Sequence, residues 1–100
     1  MEKVLTMLGF AKKAGKLIAG ANAVQRSIFS GKCELVIATE DAGDSIKGKI
    51  SRLCEENGIS YIVFGNSMEL SRATGEENKV IFSVEDLGFA KSIMEKICLM

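Results

Sequence analysis

Residues 17–38 read LIAGANAVQRSIFSGKCELVIA, two apolar runs with a helical pattern between them. Leu35-Val36-Ile37-Ala38 is a continuous, β-branched run, the signature of a strand covered on both faces. Leu17-Ile18-Ala19 is a shorter run, read as a short strand. Between them, Gly20-Ala21-Asn22 supplies a turn and an N-cap, Val24 and Ile28 face inward one turn apart, and Gly31 ends the helix after Ser30. Strand, helix and strand in so short a stretch place the chain in the α/β class.

Outward from this stretch the same alternation continues. Upstream, Val4, Leu5, Leu8, Ala11 and Ala14 recur at helical spacing, predicting a helix over 2–14 closed by Gly15. Downstream, the polar loop 39–44 leads to a helix from Ser45 with Ile46, Ile50, Leu53 and Cys54 inward, stopped at Asn57-Gly58. Tyr61–Phe64 reads as a buried strand, and Ser67 as the cap of a short helix carrying Met68 and Leu70 and ended by Gly75. Val80–Phe82 is the last strand, and a final helix from near Asp86 buries Phe89, Ala90, Ile93, Met94 and Ile97. The expected fold is a three-layer α/β/α sandwich with a central sheet of about four strands, filling one domain over residues 1–100. Its crossovers are long enough for parallel pairing, right-handed where strands are parallel.

Composition narrows the function. The chain is 47% hydrophobic and 26% charged, ordinary globular values. No apolar run approaches the roughly 18 residues of a membrane span, and the lysine-bearing N-terminus does not read as a signal peptide, so a cytoplasmic protein is expected. Cys33, Cys54 and Cys98 are widely separated and histidine is absent, which leaves no zinc constellation and no disulfide framework. Cys33 and Cys54 read as small buried hydrophobes. Net charge is zero, yet residues 1–32 carry six basic side chains (Lys3, Lys12, Lys13, Lys16, Arg26, Lys32) against one acidic, Glu2. If they share a face, that face is a basic footprint; a solvated basic helix balanced by acidic helices elsewhere gives the same totals.

Catalysis has little to work with. No histidine is present to act as a base near neutral pH, and the pairs Glu40-Asp41 and Glu55-Glu56 read as solvated surface. Gly9…Gly15-Lys16 resembles a phosphate loop only superficially, with one residue too many and Leu17 where Ser or Thr is required. No GxGxxG follows a strand, so a dinucleotide site is not indicated; no cofactor and no small-molecule substrate are expected.

The segment Gly20–Arg26 has more to offer. A glycine and a small residue, Ala21, stand at a helix start, where free N–H groups and the positive dipole end attract phosphate. Asn22 offers both a donor and an acceptor to a base edge, and Arg26 lies one turn along the same face. Lys16 adds charge nearby in sequence. The same residues also suit a plain helix cap.

Three pieces recur in order: Ala14-Gly15-Lys16-Leu17 with Gly20-x-Asn22, then Leu35-Val36-Ile37-Ala38-x-Glu40-Asp41-Ala42, then Leu70-x-x-Ala73-x-Gly75. From about residue 4 to residue 96 the chain resembles the kink-turn RNA-binding ribosomal protein family of archaea and eukaryotes, and most of all its small bacterial YlxQ-type branch. The family's helix-start motif runs glycine, any residue, asparagine, glutamate, two residues, lysine, and its polar side chains read sheared G·A pairs of a kinked RNA. Gly20, Asn22 and Arg26 match, the last conservatively, while Ala23 stands where the glutamate belongs. The family's second RNA-facing element is the loop before the last strand, here Gly75-Glu76-Glu77-Asn78-Lys79-Val80. It is acidic here, and Ser71 replaces a glycine the motif usually carries.

The resemblance implies a non-enzymatic protein whose partner is structured RNA, a kink-turn or variant internal loop, ribosomal RNA included. Lys16, Gly20, Ala21, Asn22, Ala23, Arg26, Lys32, Gly75, Asn78 and Lys79 are the expected contact residues. The alternative is a protein-interaction module of the same fold with RNA binding weakened, which Ala23 and the acidic loop motivate. A fragment of an RNA-modifying enzyme is the third reading, disfavoured because 100 residues leave no room for a cofactor domain.

Overall fold

The computed structural model describes residues 1–99. Helices and strands alternate along them as α1 (Glu2–Lys13), β1 (Leu17–Ala19), α2 (Ala21–Phe29), β2 (Leu35–Ala38), α3 (Asp44–Glu56), β3 (Ser60–Val63), α4 (Ser67–Thr74), β4 (Ile81–Val84) and α5 (Leu87–Cys98). The four strands form one mixed sheet in the order β1-β4-β2-β3. Only β2 and β3 are parallel; β4 inserts between β1 and β2 and runs antiparallel to both. No helix among the described residues is long and apolar enough to cross a membrane.

Every residue of β2 and β4 is buried, as their continuous apolar runs require of strands covered on both faces. Alternate side chains of each strand enter different cores. Leu35 and Ile37 of β2 join Phe82 and Val84 of β4 on one face, packed by Val4 and Leu8 of α1, Leu70 of α4 and Ile93 of α5. Val36, Ala38 and Ile81 join Val24 and Ile28 of α2 and Ile50 and Cys54 of α3 on the other. Burial pushes the Cys54 thiol up to about 11 and raises Cys33 as well, so both behave as core hydrophobes; Cys98 is exposed.

Several elements differ from expectation. β3 is an edge strand with only one neighbour, so it is half-exposed and Val63 lies 46% open to solvent; an apolar run alone does not reveal an edge. α4 is capped by Asn66, not Ser67: the Asn66 side chain accepts from the Glu69 N–H, and the Glu69 carboxylate accepts from the Asn66 N–H. Met68 on that helix points outward. The N-cap of α2 is Gly20, which puts Asn22 inside the helix at its second position. The six basic residues of the first third do not share a face, because α1 and α2 pack on opposite sides of the sheet.

Two tertiary ties hold the loops at the carboxyl ends of β2 and β3. Lys47 Nζ donates to the Glu40 carbonyl at 2.7 Å, bracing the β2–α3 loop against its own helix. The Asp41 carboxylate accepts from both the hydroxyl and the N–H of Ser67, at 2.6 and 3.0 Å, and so ties that loop to the start of α4. The Ser67 hydroxyl holds the Asp41 carboxyl down at about 2.

A lowered folded pKa contributes stability that is fully present above the ordinary value of 3.8 and is lost as pH falls toward about 2. Asp41→Asn is therefore expected to lower the melting temperature at neutral pH and to flatten its decline between pH 4 and 2; thermal melts across that range check it. Packing of α1 on α4 generates a second expectation. A Cβ at Gly9 would stand 2.9 Å from the Ala73 carbonyl oxygen, while a Cβ at Gly48 on α3 would meet nothing within 4 Å. Gly9→Ala should destabilise by about 1–3 kcal/mol through overpacking. Gly48→Ala should stabilise by about 0.5–1 kcal/mol through helix propensity. Urea titration of the pair reads both signs.

Candidate functional site

The carboxyl ends of β1, β2 and β3 and the start of β4 share one end of the sheet, since Ala19 is paired with Phe82 and Ala38 with both Ile81 and Val63. The helices α2, α3 and α4 all begin there, and the loop 75–80 returns there into β4. Ligands of open α/β sheets gather at such strand ends.

Gly20 joins this end of the sheet to α2. Its N–H donates to the Ile81 carbonyl at 2.9 Å, extending the β1–β4 ladder, while its own carbonyl accepts from Val24 N–H to open the helix. One residue can serve both elements only by turning sharply, and Gly20 does so at φ +101°, where an L side chain is strained. No side chain caps α2. The N–H groups of Ala21, Asn22 and Ala23 therefore have no partner among the described residues, whereas α4 and α5 are closed by Asn66 and Asp86.

Lys79 lies over this uncapped start, its Nζ 3.6 Å from where a Gly20 Cβ would stand. The loop reaches it through two left-handed residues, Gly75 as the C-cap of α4 and Asn78 at φ +56°, the only positive φ outside glycine among the described residues. Lys79 has no carboxylate within ion-pair distance among the described residues. An ammonium thus sits beside the positive end of a helix with no ion-pair partner among the described residues, an arrangement that favours an anion there. Of the two loop glutamates, Glu76 is drawn off into an ion pair with Lys12 of α1, so only Glu77 is left free in the loop.

Asn22 and Arg26 are both exposed, one turn apart on the outer face of α2. The helix is fixed in that rotation by a buried polar chain below it. Ser83 Oγ meets Ser27 Oγ at 2.8 Å, and Ser27 Oγ donates to Glu85 Oε2 at 2.6 Å. Because the Ser27 proton goes to the carboxylate, Ser83 supplies the proton between the hydroxyls.

The structure therefore brings together Gly20, Ala21, Asn22, Ala23, Arg26 and Lys79, with Gly75 shaping the loop, whereas Asn78 lines a hollow beside α4 with Ser67, Met68 and Ser71. Lys16 and Lys32 lie elsewhere. The Lys16 carbonyl accepts from Glu85 N–H, and Lys32 stands two residues before Glu34, whose N–H donates to Val84. Both flank the far end of β4, a strand length of roughly 10–13 Å from Gly20. Sequence reading missed the Asp41–Ser67 tie and the Ser27–Ser83–Glu85 chain. Neither leaves a local signal, because each joins residues distant in sequence.

The chain is similar to known proteins in sequence and in fold. The RNA-binding protein YlxQ of Bacillus subtilis is 31% identical over 88 residues, 88% of either chain. The RNA-binding protein YlxQ of Enterococcus faecium is 29% identical over 96 residues, 96% of this chain and 92% of that one. Among solved structures, a Bacillus halodurans protein of unknown function superposes with a TM-score of 0.92 at 35% identity, covering 95% of this chain and 96% of its own. The Giardia lamblia 15.5 kD RNA-binding protein superposes with a TM-score of 0.78 at 26% identity, covering 96% of this chain and 86% of its own. The family model of ribosomal proteins L7Ae, L30e and S12e and of Gadd45 matches residues 2–94, nearly the whole of the sequence, and the chain belongs to that family.

Proposed function

We propose that this chain binds structured RNA containing a kink-turn or a variant internal loop, as a single non-catalytic domain acting in the cytoplasm on ribosomal RNA or as an accessory to RNA metabolism. The observation that carries the proposal is the uncapped start of α2 beneath the Lys79 ammonium, which presents three backbone donors and a cation to one phosphate. The RNA-binding names of the two bacterial relatives and of the Giardia protein support it. Gly20 and Ala21 give the RNA backbone close approach, Asn22 reads a base edge, and Arg26 holds a phosphate with a fork that lysine lacks. Lys16 and Lys32 meet only an RNA that extends along the length of α2. Ala23 and the exposed Glu77 favour a second reading, a protein-interaction module of the same fold.

A titration of kinked RNA and a straight duplex of equal length, at one salt concentration, tests the first reading against the second. Tighter binding to the kinked RNA is expected; no binding at low salt overturns the reading. Asn22→Ala should weaken binding to the kinked RNA by about 1–3 kcal/mol, as for a lost base contact. Its effect on stability should stay within about 0.5 kcal/mol, because Asn22 is exposed and caps nothing. Equal loss on both RNAs would mean that Asn22 reads no base.

Ala23 gives the sharper test. It is the third residue of α2, where a glutamate would ordinarily turn back to the N-cap N–H. That N–H is already given to Ile81, so a glutamate here stays free to accept from a guanine amino group. Ala23→Glu should tighten binding to a standard kink-turn and weaken binding to plain duplex, since its charge repels phosphate wherever no base edge is read. Parallel titrations check both directions, and weakening on both RNAs would leave the α2 start contributing charge alone.

A further inference from the structure

A groove of about 420 Å³ separates α2 from α3, lined by Gln25 on one side and by Asp44, Gly48, Lys49 and Arg52 on the other. Gly48 keeps it open, because the missing side chain leaves empty space above the helix. Lys49 and Arg52 are one turn apart and exposed, and neither has an ion-pair partner among the described residues. Lys47, the remaining cation of α3, is turned away to the Glu40 carbonyl. Leu53 is the one large apolar side chain of the lining, so the groove offers little to the hydrophobic face of a protein helix. Gln25 follows Asn22 by three residues and so lies one turn along α2 from the site described above.

We propose that an RNA strand leaving the α2 start crosses this groove, with Lys49 and Arg52 each holding a phosphate and Gln25 donating to the sugar-phosphate backbone from the opposite wall. The inference rests on the RNA-binding reading and extends its surface from α2 onto α3. Acidic residues set the direction. Asp44 occupies one end of the groove and Glu56 follows Arg52 by a further turn of α3, so phosphates fit only across the middle, between these carboxylates.

The test compares wild type, Lys49→Gln/Arg52→Gln and the charge-preserving Lys49→Arg/Arg52→Lys, each titrated over a salt series against two kinked RNAs. One RNA carries a long stem on each side of the kink and the other has its stems cut back to the kink. For the long-stemmed RNA the neutral variant should show a log K against log salt slope shallower by about 1.4–1.8, two lost phosphate contacts. The charge-preserving variant should keep the wild-type slope, and the cut-back RNA should bind all three proteins alike. An unchanged slope for the neutral variant on the long-stemmed RNA overturns the groove alone and leaves its cations to an acidic protein partner. Wild type that binds neither kinked RNA at low salt overturns the RNA-binding reading and the groove with it.

Discussion

Everything at the candidate site depends on β4 running antiparallel through the middle of the sheet. Its ladder with β2, from Leu35–Val84 to Ala38–Ile81, is buried on both faces, and the alternation of its side chains supplies both cores. The same strand pairs with β1, so Ile81 lies within reach of the Gly20 N–H. Because β4 must start at the end where β1 and β2 finish, the loop feeding it has to cross over the start of α2. Lys79 is carried there by sheet topology, not by any attraction to the helix.

Much of the fold is legible in the sequence because its signals are local. Helical periodicity places α1, α3 and α5, and the runs 35–38 and 17–19 place β2 and β1 to the residue. Strand order and direction are another matter. Long crossovers permit parallel pairing, but whether β4 docks at an edge or between β1 and β2 depends on which apolar faces remain uncovered after the helices pack. The edge position of β3 is hidden for the same reason: Tyr61-Ile62-Val63 reads like a central strand, and its exposure is a property of the neighbour it lacks.

Legibility of the site divides along the same line. Gly20, Asn22 and Arg26 are readable because a helix start puts them together whatever the rest of the chain does. The cap assignment fails at Asn22, since the Gly20 N–H is committed to the sheet and the helix opens two residues earlier. Lys16 is near Gly20 in sequence yet a full strand away in space, while Lys79 is distant in sequence yet in contact. An extended strand separates its ends by about 3.3 Å per residue, so nearness in sequence misleads wherever a strand intervenes.

The charge distribution follows from the layers. A net charge of zero gives no general attraction to RNA, and the basic excess of the first third is divided between α1 and α2 on opposite faces. On the α1 side Lys12 is neutralised by Glu76, which also removes one of the loop's two carboxylates from the neighbourhood of Lys79. What remains at the α2 start is a short-range positive feature made of backbone donors and one ammonium, with Arg26 a turn beyond. Such a feature attracts over about one Debye length, roughly 8–10 Å at physiological salt. It therefore acts only on an anion brought close to that spot, which is what the proposed contact with an RNA phosphate requires.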